Sequence, residues 1–204
     1  MVVLGFVLAD QASFADDYVK EQLGEQKIKF ATAEELKKDE ENPANAEFKK
    51  ITEWKEGSKC LEEYAGKDMV TGKMAECYGN YYIGMHMART AALTKVDGQS
   101  MGWEGQTYAT LGNVRTDLSA KIAAAKAANN NDEATKLQKQ LDSATALRST
   151  MQTGETLRGL LLTSYGFSIF GEKAALASTV CYIGAVVLLI IAAGGFVHAF
   201  LTKK

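Results

Sequence analysis

The sequence predicts a mainly α protein: a membrane-anchored helical domain with an antiparallel helical hairpin and a carboxyl-terminal transmembrane helix. Three observations carry that reading. Residues Ala174 to Leu201 run for twenty-eight positions without Lys, Arg, Asp or Glu. Two stripes of apolar residues at helical spacing flank a short Asn-rich turn. A single proline in 204 residues, Pro43, leaves long helices uninterrupted.

At the amino end, residues 1–9 (MVVLGFVLA) are apolar and give way to Asp10 and then Asp16–Asp17. A secretory signal needs a basic leading region, and the first basic residue here is Lys20. Nine residues are also too few to cross a bilayer. Two readings stand: the remnant of a transmembrane helix that begins upstream, or a short apolar helix that packs on 174–201 or dips into the interface. Residues 10–154 then read as one extracytoplasmic helical domain. Ser13 to Leu23 is predicted helical, either with Ser13 as cap and Asp16 three residues on or as the continuation of the apolar run into solvent. Glu25 to Phe30 (EQKIKF) alternates polar and apolar residues and could form a short strand. Thr32 and Glu35 are spaced as a capping box, so a helix should start there. The charged run after it breaks at Asn42–Pro43 and reads as a solvated loop and helix.

Lys73 to Leu93 is the most apolar part of this domain. Met74, Tyr78, Tyr81 or Tyr82, and Met85 recur at helical spacing and predict its central helix. DGQSMGWEGQ, with Trp103, reads as a glycine-rich turn. The hairpin is predicted over residues 113–152. Val114, Leu118, Ile122 and Ala125 make one stripe, and Ala134, Leu137, Leu141, Ala144 and Met151 the other. Asn129 to Asp132 turn between them, because Asn tolerates the left-handed conformation and Asp caps the second helix.

Residues 155–173 read as a juxtamembrane helix, too short in their apolar part to span; a re-entrant segment is the alternative. Residues 174–201 form the transmembrane helix, and 202–204 a tail. Lys203–Lys204 stand bare, whereas Lys173 is offset by Glu172, so basic-residue bias places the tail in the cytoplasm and the bulk of the chain outside the plasma membrane. In that oxidising compartment Cys60 and Cys77 can close a loop, whereas in the cytoplasm both would stay reduced. Ala177, Cys181 and Ala185 lie four residues apart on the membrane helix and offer a small-residue face to another helix.

The chemistry-bearing residues are few. Net charge is −2, so no basic field exists to attract nucleic acid. His86 stands in Met85-His86-Met87, but successive helix residues point about 100° apart and cannot converge on one ion. Tyr82, four residues earlier, shares its face and offers a hydrogen bond. His198 falls near the end of the membrane helix, at the interface. Two thiols without neighbouring His do not complete a zinc site. No nucleophile elbow, phosphate loop or metal-binding motif occurs, so no catalytic, cofactor or metal residues are expected.

At Tyr18 to Leu23 with Gln26 to Ile28, at GKDMVTGKMAECYGNYYIGMHMA, at GQTYATLG and at GETLRGLLLTSYGFSIFG, the chain resembles a family of uncharacterised actinobacterial integral membrane proteins. The resemblance implies an amino-terminal membrane helix, a histidine-bearing helix outside and a closing membrane helix. Most of the first membrane helix is missing here, and residues 37–59 and the hairpin look like insertions. Some relatives carry an aromatic ring-opening dioxygenase name, which implies non-haem iron. One histidine outside the membrane segment does not supply its ligand set. The expected function is a non-catalytic membrane-anchored accessory or scaffold protein, partnered by membrane lipid and by a membrane protein or a second copy. The alternative is an extracytoplasmic ligand-binding or sensing domain with Tyr78, Tyr82, His86 and Trp103 at its pocket. An enzyme using His86 comes third.

Overall fold

The computed structural model describes residues 1–42 and 52–202. The expected break at Pro43, the charged residues up to 51 and the Lys203–Lys204 tail lie outside the described residues. About 82% of the described residues are helical, which makes the fold mainly α. Its helices are α1 (Val2–Glu25), α2 (Ala33–Glu41), α3 (Thr52–Glu63), α4 (Gly72–Cys77), a π-helical segment (Tyr78–Ile83), α5 (Gly84–Leu93), α6 (Tyr108–Ala127) and α7 (Asn131–Thr202). The only strands among the described residues are β1 (Lys95–Val96) and β2 (Gln99–Ser100).

The chain divides into two units: residues 29–67 with 76–162, and residues 1–28 with 68–75 and everything from 163 onward. The first unit is built on the hairpin. Met87, Ala91, Trp103, Leu111, Leu118, Ile122, Leu137, Ala144, Leu147 and Met151 form one buried cluster. These positions follow three- and four-residue steps on α6 and α7, the spacing at which one helical face stays turned to a partner. Asn129 adopts φ 56° in the connecting turn, the left-handed conformation that Asn tolerates. α6 begins at Tyr108, five residues earlier than expected, because Thr107 and Thr110 cap each other's backbone. The Arg148 guanidinium lies 3.7 Å from the Tyr108 ring centre, and its Nε donates to the Tyr108 carbonyl at 3.1 Å. The glycine-rich turn contains a small antiparallel hairpin with Val96 opposite Gln99. Asp97 and Gly98 both have positive φ, the turn whose twist suits paired strands.

Several expectations change. α1 runs unbroken from Val2, so of the two readings of Ser13 to Leu23 the continuation of the apolar run holds, and Ser13 is mid-helix and caps nothing. EQKIKF forms no strand; Lys29 makes a single bridge, because α1 continues to Glu25 and leaves too few residues to pair. The central helix is interrupted by the π segment. α7 continues through 154 and 173 without a break, so the hairpin arm, the juxtamembrane helix and the apolar helix are one element. Continuous backbone hydrogen bonding leaves no re-entrant segment.

In the second unit α1 lies antiparallel along the carboxyl-terminal part of α7. Met1 lies beside Gly184, Gly5 beside Tyr182, Ala15 beside Gly171, and Tyr18 beside Phe167. A Cβ at Gly5 would stand 2.9 Å from the Tyr182 ring, and one at Gly171 would stand 3.0 Å from the Ala15 Cβ. Glycine at both places is what permits the approach. The buried Ser178 hydroxyl donates to the Gly5 carbonyl at 2.7 Å. The contact seam of α7 is therefore Gly171, Ser178, Cys181 and Ala185, all buried, while Ala177 faces away and is exposed. The expected ridge is one residue out of phase at Ala177, and it receives α1 of the same chain. Beyond Ala185, residues 186–201 are exposed throughout. Only 11% of the most apolar eighteen-residue stretch of α7 is covered by protein. A soluble core helix would be mostly covered, so α7 is suited by length and composition to cross a membrane.

Candidate functional site

The first unit encloses a cavity of about 670 Å³ between α2, α3 and the π segment with α5. Three local features place its walls. On α2, the Thr32 Oγ1 accepts from the Glu35 backbone N–H while Glu35 Oε2 accepts from the Thr32 N–H at 2.8 Å, so the capping box fixes the helix start. That hydrogen bond holds the Glu35 carboxyl below its usual pKa. Counting from there, Leu36, Asp39 and Glu40 fall on the cavity side.

On the opposite wall, the π segment closes its turns over five residues: the Gly84 N–H reaches the Gly79 carbonyl. Buried Gly79 rests against Leu161 and Arg158 of α7. Tyr81, Tyr82, Met85, His86 and Arg89 line the cavity from this side. The rings of Tyr78, Tyr82 and His86 form a column, with centres 4.4 and 4.5 Å apart. Phe30 extends it, edge-on to Tyr78 at 5.3 Å. Burial first, then the neighbouring Tyr82, pushes the Tyr78 hydroxyl up to about 12.

The third wall, α3, is held in two ways. Gly57 sits under Tyr81, where a Cβ would come within 2.9 Å of the ring. One turn on, Cys60 is joined by a disulfide to Cys77, whose Cα is 6.1 Å away at the entrance to the π segment. A loop of this size contributes about 3 kcal/mol by restricting the unfolded chain. The floor closes where Phe30 donates to the Lys67 carbonyl at 3.0 Å and Gly66 to Ala31 at 3.1 Å. Across the opening, Arg89 donates to Asp39 at 3.0 Å and ties α5 to α2.

His86 stands on the wall that this cavity shares with a shallower cleft against α7, near Gly154 and Leu157. Its contact with Tyr82 is ring to ring rather than the hydrogen bond expected from their spacing. Burial pushes its pKa down; Arg89 adds to that and Asp39 opposes it. More than a third of the residue remains exposed, so solvent softens the shift.

Of the expected pocket residues, Tyr82 and His86 line the cavity. Tyr78 lies behind it in the ring column. Trp103 belongs instead to the hairpin core, at 7% exposure, because the turn that carries it folds onto α6 and α7. Sequence reasoning misses Phe30, Leu36, Asp39, Leu61 and Arg89, which arrive from four separate segments. Only Leu36 and Asp39 have a usable signal, through their phase relative to the Thr32 cap. Among the described residues, no group of three or more His, Cys, Asp or Glu could hold a metal ion. No family model, curated protein or solved structure matches the chain.

A depressed imidazole pKa sets a direction for stability. As pH falls below about 6.5, the ordinary value, the unfolded chain binds the His86 proton before the folded one does. The contribution of neutral His86 is present above that pH and is lost as pH falls through the folded pKa. Unfolding midpoints measured at pH 7.5 and 5.5 should drop toward acid, and His86→Gln should shrink that drop. An unchanged drop in the variant contradicts this role for His86.

Proposed function

We propose that the chain is a membrane-anchored ligand-binding or sensing protein whose site is the cavity between α2, α3 and α5. The observation that carries the reading is the cavity itself, about 670 Å³, within the ~300–1,000 Å³ range typical of small-molecule sites. Its composition supports the same reading: Phe30, Leu61, Tyr81 and Met85 supply apolar wall, and His86 with the Asp39–Arg89 pair supplies a few orienting polar groups. The scaffold reading loses its main motive, since the small-residue seam on α7 already holds α1. An accessory role keeps one supporting observation, the bare apolar surface of 186–201.

The test is a thermal-shift screen of the detergent-solubilised full chain against small aromatic amines and aromatic carboxylates. At least one class should raise the midpoint of the wild type. Leu61→Trp, which fills the cavity from α3, should abolish that rise without lowering the unliganded midpoint by more than a few degrees. No stabilising compound, or stabilisation that survives Leu61→Trp, overturns the reading.

We place the cavity-bearing unit outside the cytoplasm of a plasma-membrane protein, on the basic tail and on the Cys60–Cys77 bond, which suits an oxidising compartment. Intact cells treated with a membrane-impermeant maleimide should label Cys60 and Cys77 only after reduction. Labelling that requires permeabilisation, with both thiols already free, reverses the orientation.

A further inference from the structure

The antiparallel pairing of α1 with α7 brings two independent charge boundaries to one level. On α7 the last charged side chains before the apolar run are Glu172 and Lys173; on α1 the first charged side chain is Asp10. Ala15 lies beside Gly171, and the Ser178 hydroxyl bonds the Gly5 carbonyl, so Asp10 falls level with the stretch between 171 and 178. Two segments far apart in sequence therefore stop carrying charged side chains at about the same height. A water-facing helix pair has no reason to do so, whereas a bilayer imposes one plane on everything that crosses it.

Below that plane the exposed side chains of both helices are mostly apolar; the exceptions up to Leu201 are Thr179, whose hydroxyl donates to the Ala175 carbonyl of its own helix, and His198 near the far end. Val3 is 77% exposed and Phe6 64% on α1, and Val180, Ile183 and Leu189 are 58%, 60% and 66% exposed on α7. A protein partner covers one face; a lipid solvent wets all of them. Above the plane the character changes. Phe14, Tyr18, Phe167 and Phe170 are exposed aromatics contributed by both helices, with Phe14 stacked on Tyr18 and Tyr18 against Phe167, each pair 5.9 Å between centres. At ~1.5 Å per residue Phe14 and Phe170 stand about 6 Å above Asp10 and Ala174 respectively, inside the headgroup layer, and Tyr18 and Phe167 stand about 10–12 Å above, at its outer edge. The headgroup region between hydrocarbon and water is roughly 5–8 Å deep on each side, and aromatic residues favour it.

We propose that Phe14, Tyr18, Phe167 and Phe170 form a collar that binds the phospholipid headgroup layer, and that residues 1–9 enter the hydrocarbon beside 177–185. The collar fixes the depth of the helix pair. α1 is thus a lipid-contacting element as well as a packing partner.

The test uses the full chain with Cys181→Ser, leaving the Cys60–Cys77 disulfide intact, reconstituted into phosphatidylcholine nanodiscs. Single bimane-labelled cysteines are introduced as Phe6→Cys, Phe170→Cys and Lys20→Cys, all at exposed positions, with Val3→Cys as a second deep probe. Acyl-chain-brominated phosphatidylcholine should quench the labels at 3 and 6 at least fivefold more than the label at 20. Aqueous iodide should show the reverse order, and the label at 170 should fall between. Iodide quenching at 3 and 6 equal to that at 20 overturns the embedded segment. A label at 170 that is as aqueous as the one at 20 overturns the collar and leaves these aromatics to a protein partner.

Discussion

A backbone that crosses hydrocarbon must satisfy its own hydrogen bonds, and α7 is long and apolar enough to be such a backbone. Over 174–201 it is an uninterrupted helix, the form that constraint requires. The helix does not stop at the edge of that stretch; it runs back to Asn131 and contributes residues to both units. Along it, buried and partly buried positions recur at three- and four-residue steps from Ala134 to Ala185. In one unit α6 and the segment around Gly79 use this seam, and in the other α1 uses it.

The seam changes chemistry along its length, as a helix that passes from water into lipid would require. From Leu137 to Leu161 its buried residues are Leu and Met with Ala144 among them, and the large side chains gain from leaving water. From Gly171 to Ala185 it carries Gly, Ser, Cys and Ala. Lipid chains are as apolar as leucine, so burial there offers little drive, and association rests on close backbone approach and on polar contacts between helices. Gly5 against Tyr182, Gly171 against Ala15 and the Ser178–Gly5 hydrogen bond are of that kind. The cavity depends on a third strategy. α3 is short and rich in charge, and among the described residues a glycine contact and a disulfide hold it.

Local signals in the sequence are legible where one face decides the outcome. The hairpin stripes, the Asn129 turn and the Thr32 capping box each depend on neighbours within a few residues, and so does the charge-free run. The π segment is not legible, because Tyr78–Ile83 has an acceptable α-helical pattern and its wider turn answers to packing of Gly79 on α7. Four-residue spacing alone points to Ala177; the helix packed there sets the true phase at Ser178 and Cys181. The cavity is half legible. Tyr82 and His86 share one helix face, but Asp39 and Arg89 are fifty residues apart and meet only through the tertiary fold.

The central claim is that α1 lies antiparallel along α7 in the stated register. It is tested most directly by cysteine crosslinking in the full chain carrying Cys181→Ser. With Ala15→Cys and Gly171→Cys the two Cβ atoms lie about 3 Å apart, close enough for mild oxidation to close an intramolecular disulfide. Ala15→Cys with Ala185→Cys lies about 20 Å away along the helix and should stay open. Rapid crosslinking of the first pair alone is the predicted result. No intramolecular crosslink at 15 and 171, or equal crosslinking of both pairs, contradicts the packing on which the shared membrane plane rests.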